Sequence, residues 1–154
     1  MKFNTLASIA FLLITFSVHA GQSQNPRDPE YATDKRIAIH LNAAERNHLL
    51  SEMRAFLESI QQISEGIAEQ DMIKVAANAR KSGMKAGGGA PAGMGKKLPA
   101  EFKKLGPDTH RKFDQLALDA DDLGDEQYAL KQLSILMKNC VACHRTYRIV
   151  ASDK

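Results

Sequence analysis

Apolar residues are first massed together and then spaced along this chain. Phe11 to Val18 form a mostly apolar run behind a start that holds one lysine, and Val18-His19-Ala20 follows with small residues flanking a variable one. That order predicts a cleavable signal peptide over residues 1–20, with Gly21 as the first mature residue. The run is shorter than a bilayer span, and no later segment approaches one. Residues 21–36 are polar, carry Pro26 and Pro29, and read as a leader. Residues 37–154 then form the folded domain.

From Leu41 to Gln70 the spacing becomes helical. Asn42 followed three residues later by Glu45 predicts a capping box. Arg46, Leu50, Met53, Leu57, Ile60, Ser64 and Ile67 step by fours and threes, and Phe56 and Ile63 widen the stripe. Asp71 is placed to cap a second helix, Met72 to Ala86, with Val75, Ala76, Ala79 and Met84 inward. The glycine-rich stretch from Gly87 to Gly95 reads as a connector; it lacks the glycine and hydroxyl residue of a phosphate-binding loop. Pro99 to Leu105 predicts one short helical turn. A third helix runs from about Asp108 to Leu123, with Phe113, Leu116, Ala117, Ala120 and Leu123 inward, and Gly124 stops it. A fourth begins near Asp125, with Leu130, Leu133, Met137, Cys140, His144 and Tyr147 on one face. No segment alternates like a strand. The expectation is all-α: an antiparallel up-down-up-down four-helix bundle.

Composition narrows the functional classes. A chain of 154 residues, about 134 after signal removal, suits one core. A net charge of +3 and no tryptophan give no nucleic-acid footprint. No nucleophile–base pair or carboxylate dyad stands out, and Asp119 to Asp122 reads as a solvated charge run. Export would place the protein in an oxidising compartment, the periplasm.

The chemistry is concentrated in Cys140-Val141-Ala142-Cys143-His144, which holds both cysteines of the chain. This is the attachment signature of c-type haem. On a helix, residues three and four apart share a face. Two thiols there reach the two vinyl groups of one porphyrin, and the next residue offers an imidazole from the same side. A zinc site needs ligands this chain does not supply at suitable spacing. A thioredoxin-type dithiol follows a strand and opens a helix, whereas this pair lies at the end of the last one. A disulfide across so small a loop adds little stability.

With "CVACHRTYR" near its C-terminus, on a fourth amphipathic helix and behind a signal peptide, the chain resembles the cytochrome c-prime family, including its low-spin relatives. The resemblance implies an exported mono-haem protein with C-terminal attachment through Cys140 and Cys143. His144 would be the proximal iron ligand, and Arg148 would lie near the haem edge. Family members divide by what the first helix offers the other iron face. A methionine gives a six-coordinate electron carrier; an apolar residue leaves a site for nitric oxide or carbon monoxide. Met53 is the favoured ligand, since a thioether opposite histidine raises the potential of an electron-carrying haem; Leu50, with Phe56, would wall the open alternative. Arg54 and Arg46 are candidates for the haem propionates, and Tyr147 for packing on the porphyrin. Lys138, Arg145 and Arg148 could steer an acidic redox partner. His40, His48 and His110 read as surface histidines. A homodimer through the first helix is compatible with the relatives, and docking into a larger redox enzyme is a further option.

Overall fold

Asn42 stands at the start of the longest helix in an extended conformation, and its side chain accepts from the Glu45 N–H at 3.0 Å while the Glu45 carboxylate accepts from the Asn42 N–H at 2.9 Å. This reciprocal cap satisfies two of the donors that every helix start leaves unpaired. In a computed structural model of the chain, which describes residues 34–86 and 88–152, the elements run in the order β1 (Ile37–Leu41), α1 (Ala43–Ala68), α2 (Met72–Arg80), α3 (Met94–Lys97), α4 (Ala100–Leu123), α5 (Glu126–Thr146) and β2 (Tyr147–Ala151). All belong to one compact unit, Lys35–Lys154. The expected signal peptide and nearly all of the leader lie outside the described residues.

The described chain is mostly helical. α1 packs on α2, α2 on α4, α4 on α5 and α5 on α1. Asp71 caps α2 by accepting from the Lys74 N–H at 2.8 Å, and Asp125 caps α5 through the Tyr128 N–H at 2.9 Å. Gly124 ends α4 in the left-handed region at φ 62°, where a side chain would be strained. At the α1–α2 turn, a Cβ on Gly66 would lie 2.9 Å from Val75 Cγ2, so glycine lets the two helices meet.

Several expected boundaries need correction. The second helix ends at Arg80 rather than Ala86, and Met84 is exposed rather than inward. The cause is a close approach to α4: a Cβ on Gly83 would fall 1.9 Å from Asp114 Oδ1, and the Met84 N–H donates to Asp114 Oδ2 at 3.0 Å. The expected short turn over 99–105 and the third helix are one element, α4, which continues through Gly106 and Pro107. Packing of Phe102 against Tyr147, with ring centroids 5.4 Å apart, holds the added turns despite the proline. The last helix stops at Thr146. Tyr147–Ala151 instead pairs in parallel with Ile37–Leu41, Ile37 opposite Tyr147 and Leu41 opposite Ala151, so strands exist where none were expected.

Two apolar clusters fill the interior. The larger joins Phe56 and Ile63 of α1, Val75, Ala76 and Ala79 of α2, Phe113, Leu116 and Ala117 of α4, and Leu133 and Leu136 of α5. The smaller joins Ile39 and Leu41 of β1, Leu49, Met94 and Tyr147. Met53 packs against both.

The inward stripes are also rotated. On α1 the buried line is Glu45, Leu49, Phe56, Ser59, Ile63 and Gly66, while Arg46, Leu57 and Ser64 are exposed. On α5 it is Ala129, Leu133, Leu136 and Asn139, while Leu130, Met137 and His144 are exposed. Leu123, expected inward on the third helix, is exposed as well.

Candidate functional site

The rotation has a local cause. α1, the first half of α4 and the end of α5 diverge around a cavity of about 450 Å³. α1 contributes Leu49, Leu50, Met53, Phe56, Leu57 and Ile60, together with Glu52 and Arg54. α4 contributes Phe102, Leu105, Gly106, Thr109 and His110, and α5 contributes Met137, Asn139, Cys140, Cys143 and His144. An apolar residue on any of these helices can therefore face either a neighbouring helix or the hollow, and the sequence pattern merges the two faces.

The cavity brings most of the sequence-predicted residues together. Cys140, Cys143 and His144 share one wall, and Met53, Leu50 and Arg54 line another. Arg54 is exposed and Met53 half-buried. Arg46 is exposed outside the lining, and Tyr147 and Arg148 lie on β2, also outside it. Leu57, 67% exposed, and Met137, 42% exposed, stand in the lining with their apolar surfaces toward solvent.

The two thiols are free and half-buried. Burial pushes both above the ordinary thiol range, and at Cys143 the neighbouring Cys140 pushes further. Both are therefore protonated near neutral pH, which disfavours a nucleophilic or disulfide-exchanging pair, since those need the thiolate. Among the described residues no group of three His, Cys, Asp or Glu side chains converges as a ready metal site.

Polar groups where α4 meets α5 are tied down. Asn139 donates to Asp108 at 2.8 Å and to Thr109 at 3.2 Å, and Thr109 donates to the Leu105 carbonyl at 2.8 Å. Lys112, followed by Asn139, holds the Asp108 carboxyl below its usual range. These bonds lock α5 to α4 one residue before Cys140. Behind the motif, Arg36 donates to the His144 carbonyl at 3.2 Å, and the β1–β2 pair carries the chain away.

His110, a surface histidine by its sequence context, is instead half-buried and lines the cavity. Its ring stands edge-on to Phe56 at 4.9 Å, and its Nδ1–H donates to the Ser82 carbonyl at 2.8 Å. A signal was present, since His110, Phe113 and Ala117 are three and four residues apart and share a face. It was hidden by starting the helix at Asp108, where a residue has no defined face. His40 is exposed on β1, and His48 is half-buried with Nε2 3.8 Å from Glu52 Oε1.

No helix among the described residues is long and apolar enough to cross a membrane. Compared with known protein families, with characterised proteins and with solved structures, the chain has no match.

Proposed function

We propose that this chain is an exported, periplasmic mono-haem cytochrome of the c type that carries single electrons, built as an antiparallel up-down-up-down bundle with its haem attached near the C-terminus. One observation carries the reading: Cys140, Cys143 and His144 line the same wall of an apolar cavity whose α1 wall holds Met53. The residues present fit such a group. The cavity lies within the range of cofactor clefts, roughly 300–1,000 Å³, and its lining is almost wholly apolar. The cysteines stand three apart on a helix as two tethers require. Leu57 and Met137 expose large apolar surfaces that a seated porphyrin would cover.

Haem supplies the one-electron chemistry through its iron; the chain supplies the rest. Cys140 and Cys143 would tether it, and His144 and Met53 would hold its iron, a pairing that raises the potential. Phe56, Leu50 and Ile60 would supply the apolar α1 wall against it. Arg54, exposed in the cavity lining, would be the candidate to pair with a propionate. Lys138 and Arg145, both exposed beside the motif, would steer an acidic redox partner. Tyr147 and Arg148 support the end of α5 from β2 rather than from the cavity lining.

A second reading keeps an observation of its own. Leu50 lines the cavity beside Met53, so a five-coordinate haem taking nitric oxide or carbon monoxide has an apolar distal wall available. Expression with active cytochrome maturation, followed by mass and absorption measurements, tests both. A mass one haem above the polypeptide with a far-red methionine band supports the carrier. A high-spin spectrum with fast carbon monoxide binding supports the gas site. Colourless protein of polypeptide mass ends both.

A further inference from the structure

We propose that His110 is the reserve iron ligand of this site: its Nε2 takes the sixth position when Met53 does not hold it. The inference rests on the haem reading above. Asn139 donates to Thr109 and Asp108, Thr109 donates to the Leu105 carbonyl, Glu52 faces His48 at 3.8 Å, Met137 shares the motif's own helix, and Arg54 is a cation with no lone pair to give. Two imidazoles then remain as nitrogen donors in the lining, His144 on the motif helix and His110 on α4.

His110 is built for the role. The Ser82 carbonyl can only accept, so Nδ1 carries the proton and the lone pair of the neutral ring is on Nε2. Nε2 has no hydrogen-bond partner among the described residues. An imidazole anchored through one nitrogen to a backbone carbonyl, with the other nitrogen free, is the arrangement in which histidines bind metals. The anchor is itself fixed: Ser82 Oγ donates to Ser59 Oγ at 2.8 Å, and Gly83 is pressed against Asp114. Phe56 holds the ring from its edge. Loss of the thioether therefore leaves the iron closed to small gases and, with two imidazoles, at a lower potential.

The test uses haem-loaded full-length protein, with loading confirmed by mass. Ferric Met53→Ala should remain low-spin, lose the methionine band and show the electron paramagnetic resonance pattern of two imidazoles. Ferric Met53→Ala/His110→Phe, which keeps a ring against Phe56, should be high-spin, and after reduction to the ferrous state it should bind carbon monoxide about tenfold faster or more than reduced Met53→Ala, because only molecules with the position open can react. High-spin Met53→Ala that binds carbon monoxide as fast as the double variant overturns the proposal, and so does a double variant that stays low-spin. If the double variant does not fold, the resonance pattern of Met53→Ala decides alone. Wild-type protein lacking covalent haem overturns the haem reading and the proposal together; a loaded but high-spin Met53→Ala overturns the proposal only.

Discussion

In its second half, α4 sets Phe113, Leu116, Ala117 and Ala120 into the larger cluster with Val75, Ala76 and Ala79 of α2, and every one of these side chains is buried. In its first half the same helix offers Phe102, Leu105, Gly106, Thr109 and His110 to a hollow of about 450 Å³. Alanine against alanine brings two helices close and leaves nothing to fill. At the other end, long side chains on α1 and α5 hold the elements apart without closing over the space. The filled half is held by its own packing; the hollow half leaves apolar side chains lining an open space.

Truncation in the filled half should have the largest effect. Phe113 is fully buried and stacks on Phe56 with centroids 5.4 Å apart. Phe113→Ala should cost about 3–5 kcal/mol, through lost burial and the void left behind. Urea unfolding of the haem-free chain measures it; a loss under about 1 kcal/mol would mean this half is loosely packed. Overfilling is the next test. Ala117 is buried in the α4 face of the larger cluster. Ala117→Leu should destabilise by about 1–3 kcal/mol, whereas a Cβ added at Gly106, on the cavity lining, has nothing within 4 Å.

The two halves were also unequally legible in the sequence. Caps are local, so Asn42 with Glu45, Asp71, and Gly124 with Asp125 could all be read directly from residue type and spacing. The filled stripe of α4 from Phe113 to Ala120 was equally plain, and so was the Cys140–Cys143–His144 face. What stayed hidden depends on distant partners. Nothing near Ile37 announces that it pairs with Tyr147 across more than a hundred residues, and the helical period running through His144 suggested continuation. Gly106-Pro107 looked like a break because the packing of Phe102 on Tyr147 that sustains α4 is non-local. The hollow itself is invisible to periodicity, since Leu57 and Met137 carry the same apolar signal whether they meet a helix or a cofactor.

Acid should sharpen the comparison from outside the core. The Lys97 ammonium at 2.8 Å, and then the Asn42 N–H, hold the Glu45 carboxyl below its ordinary value. A lowered folded-state pKa means that the contribution is fully present above the unfolded value of about 4.3 and is lost as pH falls through the folded one. Thermal melts of the haem-free chain should therefore fall below about pH 4.3, and Glu45→Gln should flatten that fall. Asp108, lowered by Lys112 and Asn139, contributes in the same direction. A Glu45→Gln melt with an unchanged acid slope would assign the whole loss to Asp108 and other carboxylates.

The smallest effect on folding should come from the cavity mouth, and it separates the two halves most cleanly. Leu57 is two-thirds exposed in the chain alone, so Leu57→Ser removes little buried area and should change haem-free stability by no more than about 0.5 kcal/mol. If a porphyrin covers that side chain, the same substitution costs the loaded protein the burial of an apolar group, about 1.5–3 kcal/mol for a leucine fully covered. Measuring Leu57→Ser in both forms thus asks whether the exposed leucine is ordinary surface or half of an unfinished contact. Equal effects in the two forms would place the occupant elsewhere in the hollow, toward Phe102 and Leu105. A cost seen only with haem bound would show that α1 leaves Leu57 uncovered because the cofactor completes the core there.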